Sequence, residues 1–345
     1  MHCLVTGGAG FIGSNLVKRL IISGAVVRVV DNLERGKLDH LTAVIGSIDF
    51  RQVDLRDEES AIESCRGIDT VFHLASKVGG IGYYQQQPGE VMIQNLILDN
   101  RVLDAAIKNK VNRYIYASST FVYPARLQQV PESPALKETD AMPADPPLSY
   151  GWAKLTGEKT ITHVIDNDYP LRAAILRLMG VYGPGQDCDL ERGSAIPVFV
   201  RRALEYPQRS PFVVKGTGKE TRCFCYINDI IEAIIRAAEK LDHHQLVGPV
   251  NIGSENRIRI NDLVDMIIGI SGKQIEVLHL PALTSIWGQA ADCSLARRLL
   301  DGWQPKTSME DGLFNMFEYI NRELTAEVNR KSLPLLWAFL KSVSV

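Results

Sequence analysis

Close to its start the chain reads Leu4-Val5-Thr6-Gly7-Gly8-Ala9-Gly10-Phe11-Ile12-Gly13, a short apolar run ending in glycines spaced G-x-x-G-x-x-G. Few architectures can use such a stretch. Without side chains, the backbone turns tightly from strand to helix and approaches an anion closely, and the helix N-terminus offers it free N–H groups. The next β-branched run, VVRVV, ends in Asp31, 18 residues past Gly13. A carboxylate there can accept bonds from both hydroxyls of a ribose and would repel a 2′-phosphate. Strand, turn, helix and acid together predict a dinucleotide site that takes NAD rather than NADP. Arg35 nearby works against that preference. Asp54, ending a third run in QVDLRD, is in position to reach the adenine.

Further along, β-branched runs at 2–6, 26–30, 48–53, 70–74, 113–117 and 173–178 alternate with helical stretches, the pattern of a parallel sheet built from βαβ units. The periodic segment 90–108 carries Val91, Ile93, Leu96, Ile97, Val102, Leu103 and Ile107, a face broad enough for both the sheet and a second subunit. Pro-rich loops at 124–147 and 182–197 interrupt the pattern, and loops this long are usually functional. Beyond Pro197 the strands and helices are mixed. The expectation is an α/β chain, with residues 1–180 binding the dinucleotide and residues 181–345 forming mainly a smaller lobe, from which the chain can cross back.

Charge and cysteine content narrow the partners. Lys plus Arg number 38 and Asp plus Glu 40, so the net charge of −2 gives no general attraction for nucleic acid or anionic lipid. No apolar run approaches a membrane span, and no signal-peptide order is present. The six scattered cysteines read as reduced thiols of a cytoplasmic protein. Cys223 and Cys225, alternating in TRCFCYI, would share one strand face but lack a second ligand pair, so no metal is expected.

A second motif carries chemistry. In Ser149-Tyr150-Gly151-Trp152-Ala153-Lys154, Tyr150 and Lys154 are four apart and share one helix face. An ammonium beside a phenol stabilises the phenolate and brings it toward general-base work. The stretch ASSTFVYP, 117–124, offers Ser118, Ser119 and Thr120 as hydroxyls to hold a substrate alcohol.

The set TGGAGFIG, Asp31, HLAS, Asn95, SSTFVYP, YGWAK, VYGPG, GTGKETRCF and VNIGS resembles the extended short-chain dehydrogenase/reductases, in the nucleotide-sugar epimerase/dehydratase group. The resemblance runs from about Val5 to Gly312. It implies a Rossmann-like doubly wound parallel sheet with a smaller C-terminal α/β substrate lobe, retained NAD, a nucleotide-diphosphate sugar as substrate, and a homodimer formed through the helices that contain Leu103 and residues 150–167. The implied catalytic residues are Ser119, which stands four before Tyr123, with Tyr150 and Lys154. The implied cofactor contacts are Gly7, Gly10, Phe11, Ile12, Gly13, Asp31, Asn32, Asp54, Leu55, Leu74, Ala75, Ser76, Asn95 and Ser118, together with Tyr150 and Lys154. Gly79, Gly80, Ser119, Thr120, Phe121 and Arg222 are implied to meet the substrate, Arg222 through its diphosphate.

The same resemblance separates the reactions. The loop KVGGIGY is similar to that of GDP-mannose 3,5-epimerases and GDP-fucose synthases, which place a cysteine acid/base where this chain has Phe121 and a lysine where it has Ala195. Dehydratases carry Asp-Glu where it has Thr120-Phe121. Phenylalanine cannot move protons. What remains is oxidation and return of hydride, an epimerase inverting C4 through a 4-keto sugar. The alternatives are a dehydratase or keto-sugar reductase that recruits Cys188, Glu191 or Arg192, and an NAD-binding regulator without catalysis. Gly180 and Gln289 replace an asparagine and an arginine of the family's substrate lobe, and Lys219, Arg192 and Trp287 could compensate.

Overall fold

The computed structural model describes residues 1–79, 81–167, 169–281 and 286–343. Six parallel strands form in the expected places: β1 His2–Thr6, β2 Val26–Val30, β3 Ile48–Arg51, β4 Thr70–His73, β5 Arg113–Ser119 and β6 Arg172–Leu178. A seventh, Leu246–Ile252, joins them from late in the chain, and the sheet order is β3-β2-β1-β4-β5-β6 followed by that strand. The chain therefore does return to the sheet.

Alternate residues of each strand face opposite apolar layers. Cys3 and Val5 of β1, with Ala174 and Leu176 of β6, face a layer that contains Leu16, Val17 and Leu20 of α1 (Phe11–Ile22). Leu4, Ala173 and Ile175 face another, with Ala61 of α2 (Glu58–Cys65), Val102 and Ala106 of α4 (Pro88–Lys108) and Ile161 of α5 (Ser149–Asp166). Burial on both faces explains why the strand sequences are nearly continuously apolar. The short helix α3 (Ile81–Gln86) precedes α4, which starts at Pro88, where the missing N–H has no helical partner to lose. Pro146 and Pro147 likewise hold the chain out of helix until Ser149.

The smaller lobe gathers α6 (Ala195–Glu205), α8 (Ile260–Ser271) and α10 (Met309–Val343) with short strand pairs, Phe212–Lys215 on Val277–Leu280 and Thr221–Cys223 on Arg257–Arg259. Between these segments α7 (Ile227–Lys240) packs against α1. Cys223 and Cys225 are both buried, but Phe224 breaks the strand, and Cys225–Tyr226 pairs with Val181–Tyr182 instead. The single strand expected there is two. In this sheet order the chain leaves β1 and β4 in opposite directions, which opens a crevice at the carboxyl ends of these strands.

Candidate active site

Thr6, His73 and Tyr116 lie side by side across β1, β4 and β5. Beyond them a cavity of about 590 Å³ opens. Its floor is Gly7, Gly10, Phe11, Ile12 and Gly13. Gly7 has φ +65°, and a Cβ on it would stand 2.8 Å from Ala75 Cα. A Cβ on Gly13 would stand 2.2 Å from the Gly7 carbonyl oxygen, so only glycine fits the turn.

Asp31 and Asn32 follow β2 on one wall, with Asp54 and Leu55 behind β3. The Asp31 carboxylate accepts from the N–H groups of Ala9 at 3.0 Å and Leu33 at 2.8 Å. Burial raises its pKa, and those N–H bonds pull against the rise. Asp54 is held by Arg56, whose backbone N–H and Nε both reach it at 2.9 Å, and this lowers its pKa to about 2. Asp54, expected to reach an adenine, is thus part of a formed ion pair rather than a free acid. Arg35 crosses the mouth, donating to the Val78 carbonyl and to Asp187 at 2.9 Å.

Leu74, Ala75 and Ser76 after β4 and Ser118 and Ser119 at the end of β5 complete the inner wall with Tyr150. Successive residues of β5 point opposite ways, and this sorts the hydroxyls. Ser118 donates to buried Glu158 at 2.5 Å. The Ser119 hydroxyl oxygen accepts from the Phe121 N–H at 3.2 Å, which leaves its own proton for a ligand. Thr120 is buried outside the cavity lining.

Tyr150 is almost fully buried, its ring stacked on Tyr84 at 4.9 Å between centroids and meeting Phe121 edge-on at 6.2 Å. Burial raises the pKa of its hydroxyl well above the ordinary tyrosine value, opposed by a bond with Ser76. Lys154 lies behind it, with Nζ 5.9 Å from the Tyr150 ring centroid and 3.6 Å from Asp99 Oδ2. That ammonium is buried without a hydrogen-bond partner among the described residues.

The remaining expected contacts divide between the cavity and its surroundings. Asn95 spends its amide on the loop after β4, accepting from Ser76 Oγ and the Lys77 N–H and donating to the Lys77 and Val91 carbonyls. Phe121 lies behind Tyr150 rather than on the cavity wall, and Arg222 donates to the carbonyls of Thr221, Ile286 and Trp287. Gly79 lines the cavity, whereas Gly80 lies outside the described residues. Cys188 packs half-buried against the apolar core, Glu191 is exposed, and Arg192 reaches the cavity rim. Sequence reasoning missed Tyr84, His40 and Asp99. For Asp99 a signal existed: a charge in helical register with Val91 and Asn95 on the inner face of α4.

Residues 3–253 match the model of the NAD dependent epimerase/dehydratase family. GDP-mannose 3,5-epimerase 1 of Oryza sativa subsp. japonica is 32% identical over 323 residues, 94% of this chain and 82% of that protein. The crystal structure of UDP-glucose 4-epimerase with UDP-glucose from Thermotoga maritima is 30% identical with a TM-score of 0.83, covering 94% of this chain and 100% of that one. UDP-glucuronic acid 4-epimerase from Bacillus cereus, in complex with UDP-glucuronic acid and NAD, is 29% identical with a TM-score of 0.80, covering 93% and 99%. NAD fits the cavity on its own evidence. The glycine turn can admit a pyrophosphate, Asp31 lines the wall where a ribose would be met, and the Lys154 ammonium, 3.6 Å from Asp99 but without a hydrogen bond among the described residues, can donate to an acceptor. The chain belongs to the NAD dependent epimerase/dehydratase family and takes NAD as its cofactor.

Proposed function

We propose that this protein inverts C4 of a nucleotide-diphosphate hexose through a transient 4-keto sugar. One observation carries the reading: the Tyr150 and Ser119 hydroxyls line one cavity with the glycine turn, while Phe121 and Ala195 lie outside it. No proton-transfer group therefore stands at either position where 3,5-epimerases keep one. NAD, when bound, supplies the hydride acceptor and donor at the carbon that is oxidised and reduced. Tyr150 Oη takes the proton of the C4 hydroxyl and later returns it. Ser119 Oγ–H donates to the same oxygen and fixes its position. Lys154 Nζ binds the nicotinamide ribose and supplies the positive charge that a phenolate needs. Ser118, Tyr150 and Lys154 with the glycine turn act on the cofactor, Asn95 by holding the loop that carries Ser76. Gly79 shapes the sugar end, Thr120 and Phe121 stand outside the cavity lining, and Arg222, freed from its carbonyls, would grip the diphosphate. On this reading residues 1–180 hold NAD and residues 181–345 mainly the nucleotide sugar.

Incubation with UDP- and GDP-hexoses in D₂O, followed by NMR of the sugar, tests the reading. The expected product is the C4 epimer without deuterium at C3 or C5. Deuterium there, or a sugar that has lost water, refutes it. Tyr150→Phe should lower turnover by about 10² to 10⁴-fold while NAD stays bound, and near-normal activity would remove Tyr150 from the mechanism.

The assembly is proposed as a cytoplasmic homodimer. Ile93 and Ile97 of α4 and Trp152 of α5 are exposed on adjacent helices, whereas Leu103 is buried in the chain's own core. Among the described residues no helix is long and apolar enough to cross a membrane.

A further inference from the structure

We propose that Asp99 is the counter-ion of Lys154 and, as a positioning residue acting through it, sets the proton affinity of the Tyr150 hydroxyl. The inference rests on the reading of Tyr150 as the acid/base, and its argument begins at the glycine turn. Thr6 Oγ1 accepts from the N–H groups of Leu74 and Ala75, each at 3.1 Å, so its own proton goes to His73 Nδ1 at 2.8 Å. The proton of the neutral imidazole then sits on Nε2 and is donated to Asp99 Oδ1 at 3.0 Å. Tyr116 Oη donates to Asp99 Oδ2, the oxygen 3.6 Å from Lys154 Nζ.

Asp99 thus receives two neutral donors and a single cation. Among the described residues around it, the only compensating charge is that ammonium: His73 comes from β4, Tyr114 and Tyr116 from β5, and Lys154 from α5. Lys154 itself faces Asp99, Glu158 and the rings of Tyr116 and Tyr150. Glu158 is already engaged by Arg177 at 2.7 Å. Tyr150 faces Ser76 and Tyr84 on its other sides. The fold makes room for the carboxylate. A Cβ on Gly157 of α5 would meet Tyr116 Oη at 2.3 Å and Asp99 Oδ2 at 3.3 Å, so the glycine lets the network sit between α4, α5 and β5.

A carboxylate at this place has two effects of one sign. It keeps the buried Lys154 protonated, and it makes the Tyr150 proton harder to remove, by holding part of the ammonium's field. Asp99→Asn keeps the shape and removes the charge; the undivided field of the Lys154 ammonium then falls on Tyr150, whose proton should leave at lower pH while Lys154 still carries its own. The test is an ultraviolet tyrosinate titration of the NAD-loaded protein, with each chain referenced to its own Tyr150→Phe partner so that Tyr150 alone is read. The Tyr150 midpoint should fall by about one to three pH units in Asp99→Asn. Coincident midpoints overturn the proposal. Asp99→Ser, smaller and also neutral, serves if the asparagine chain does not fold, with the same expected shift and the same refutation. Tyr116→Phe deletes a bond to Asp99 but keeps its charge. A shift there as large as in Asp99→Asn would assign the effect to packing and also overturn the proposal. Full turnover by Tyr150→Phe would instead refute the acid/base reading, which this titration does not use.

Discussion

Glu158 and Arg177 offer a test of how the end of β5 is held. The guanidinium reaches the two carboxylate oxygens through Nε at 2.9 Å and Nη2 at 2.7 Å, with both side chains almost wholly out of water. Nη1 continues to the Glu138 carbonyl at 2.8 Å and Tyr123 Oη at 3.2 Å, and Tyr123 Oη donates to Asn251 Oδ1 at 2.6 Å. Glu158→Gln preserves the volume but strands the cation, and breaking a buried pair in this way costs about 3–5 kcal/mol. Spread over a chain of 345 residues, that is a fall of roughly 4–7 °C in Tm. Arg177→Met should cost less, because the remaining carboxylate can take up a proton whereas a guanidinium cannot lose one. The double variant should be more stable than Glu158→Gln alone, since neither charge is left without a partner. Urea unfolding of all four proteins at one saturating NAD concentration measures the cycle. If the two single losses simply add, the pair is not coupled and the account of the β5 end is wrong.

Other perturbations follow from the same contacts. Gly13→Ala forces a methyl against the Gly7 and Gly8 backbone and should abolish NAD retention, whereas Gly269→Ala in α8 meets nothing within 4 Å and should stabilise by about 0.5–1 kcal/mol, read as Tm. Burial holds the His73 pKa below its ordinary 6.5, with the Asp99 bond pulling the other way. The unfolded chain therefore binds the extra proton first, and stability present above pH 6.5 should be lost on acidification, a decline that His73→Gln should flatten in a Tm series from roughly pH 7 to 5. Trp152→Glu should yield a monomer in light scattering if the α4 and α5 surface is the dimer face, and an unchanged dimer would place that face elsewhere.

The strands were legible because both sides of the sheet are buried, so their sequences announce themselves without alternation. The glycine turn and Asp31 were legible because each is forced by local geometry. Side-chain partners chosen across the fold were not. Arg222 satisfies backbone carbonyls from residues 64 and 65 positions later in the chain, and no local spacing reports that. Ile93 and Ile97 belong to the same apolar set as Val91 and Val102 in the sequence, yet the former pair is exposed and the latter buried. Periodicity identifies a stripe, but the width that the neighbours cover is decided by packing. The register of Asp99 with Val91 and Asn95 marks it as facing inward, but its partner Lys154 stands on another helix, and no local spacing reports that pairing.

The glycine at 157 has a consequence for how such chains can vary. Because its missing methyl is the space occupied by the Tyr116 hydroxyl, the two positions cannot drift independently. An alanine at 157 is admissible only in company with a shorter side chain at 116, and Asp99 then loses a donor. In a mutational library the three positions should be accepted or rejected as a block, so that the value of a substitution at one is unreadable until the other two are known.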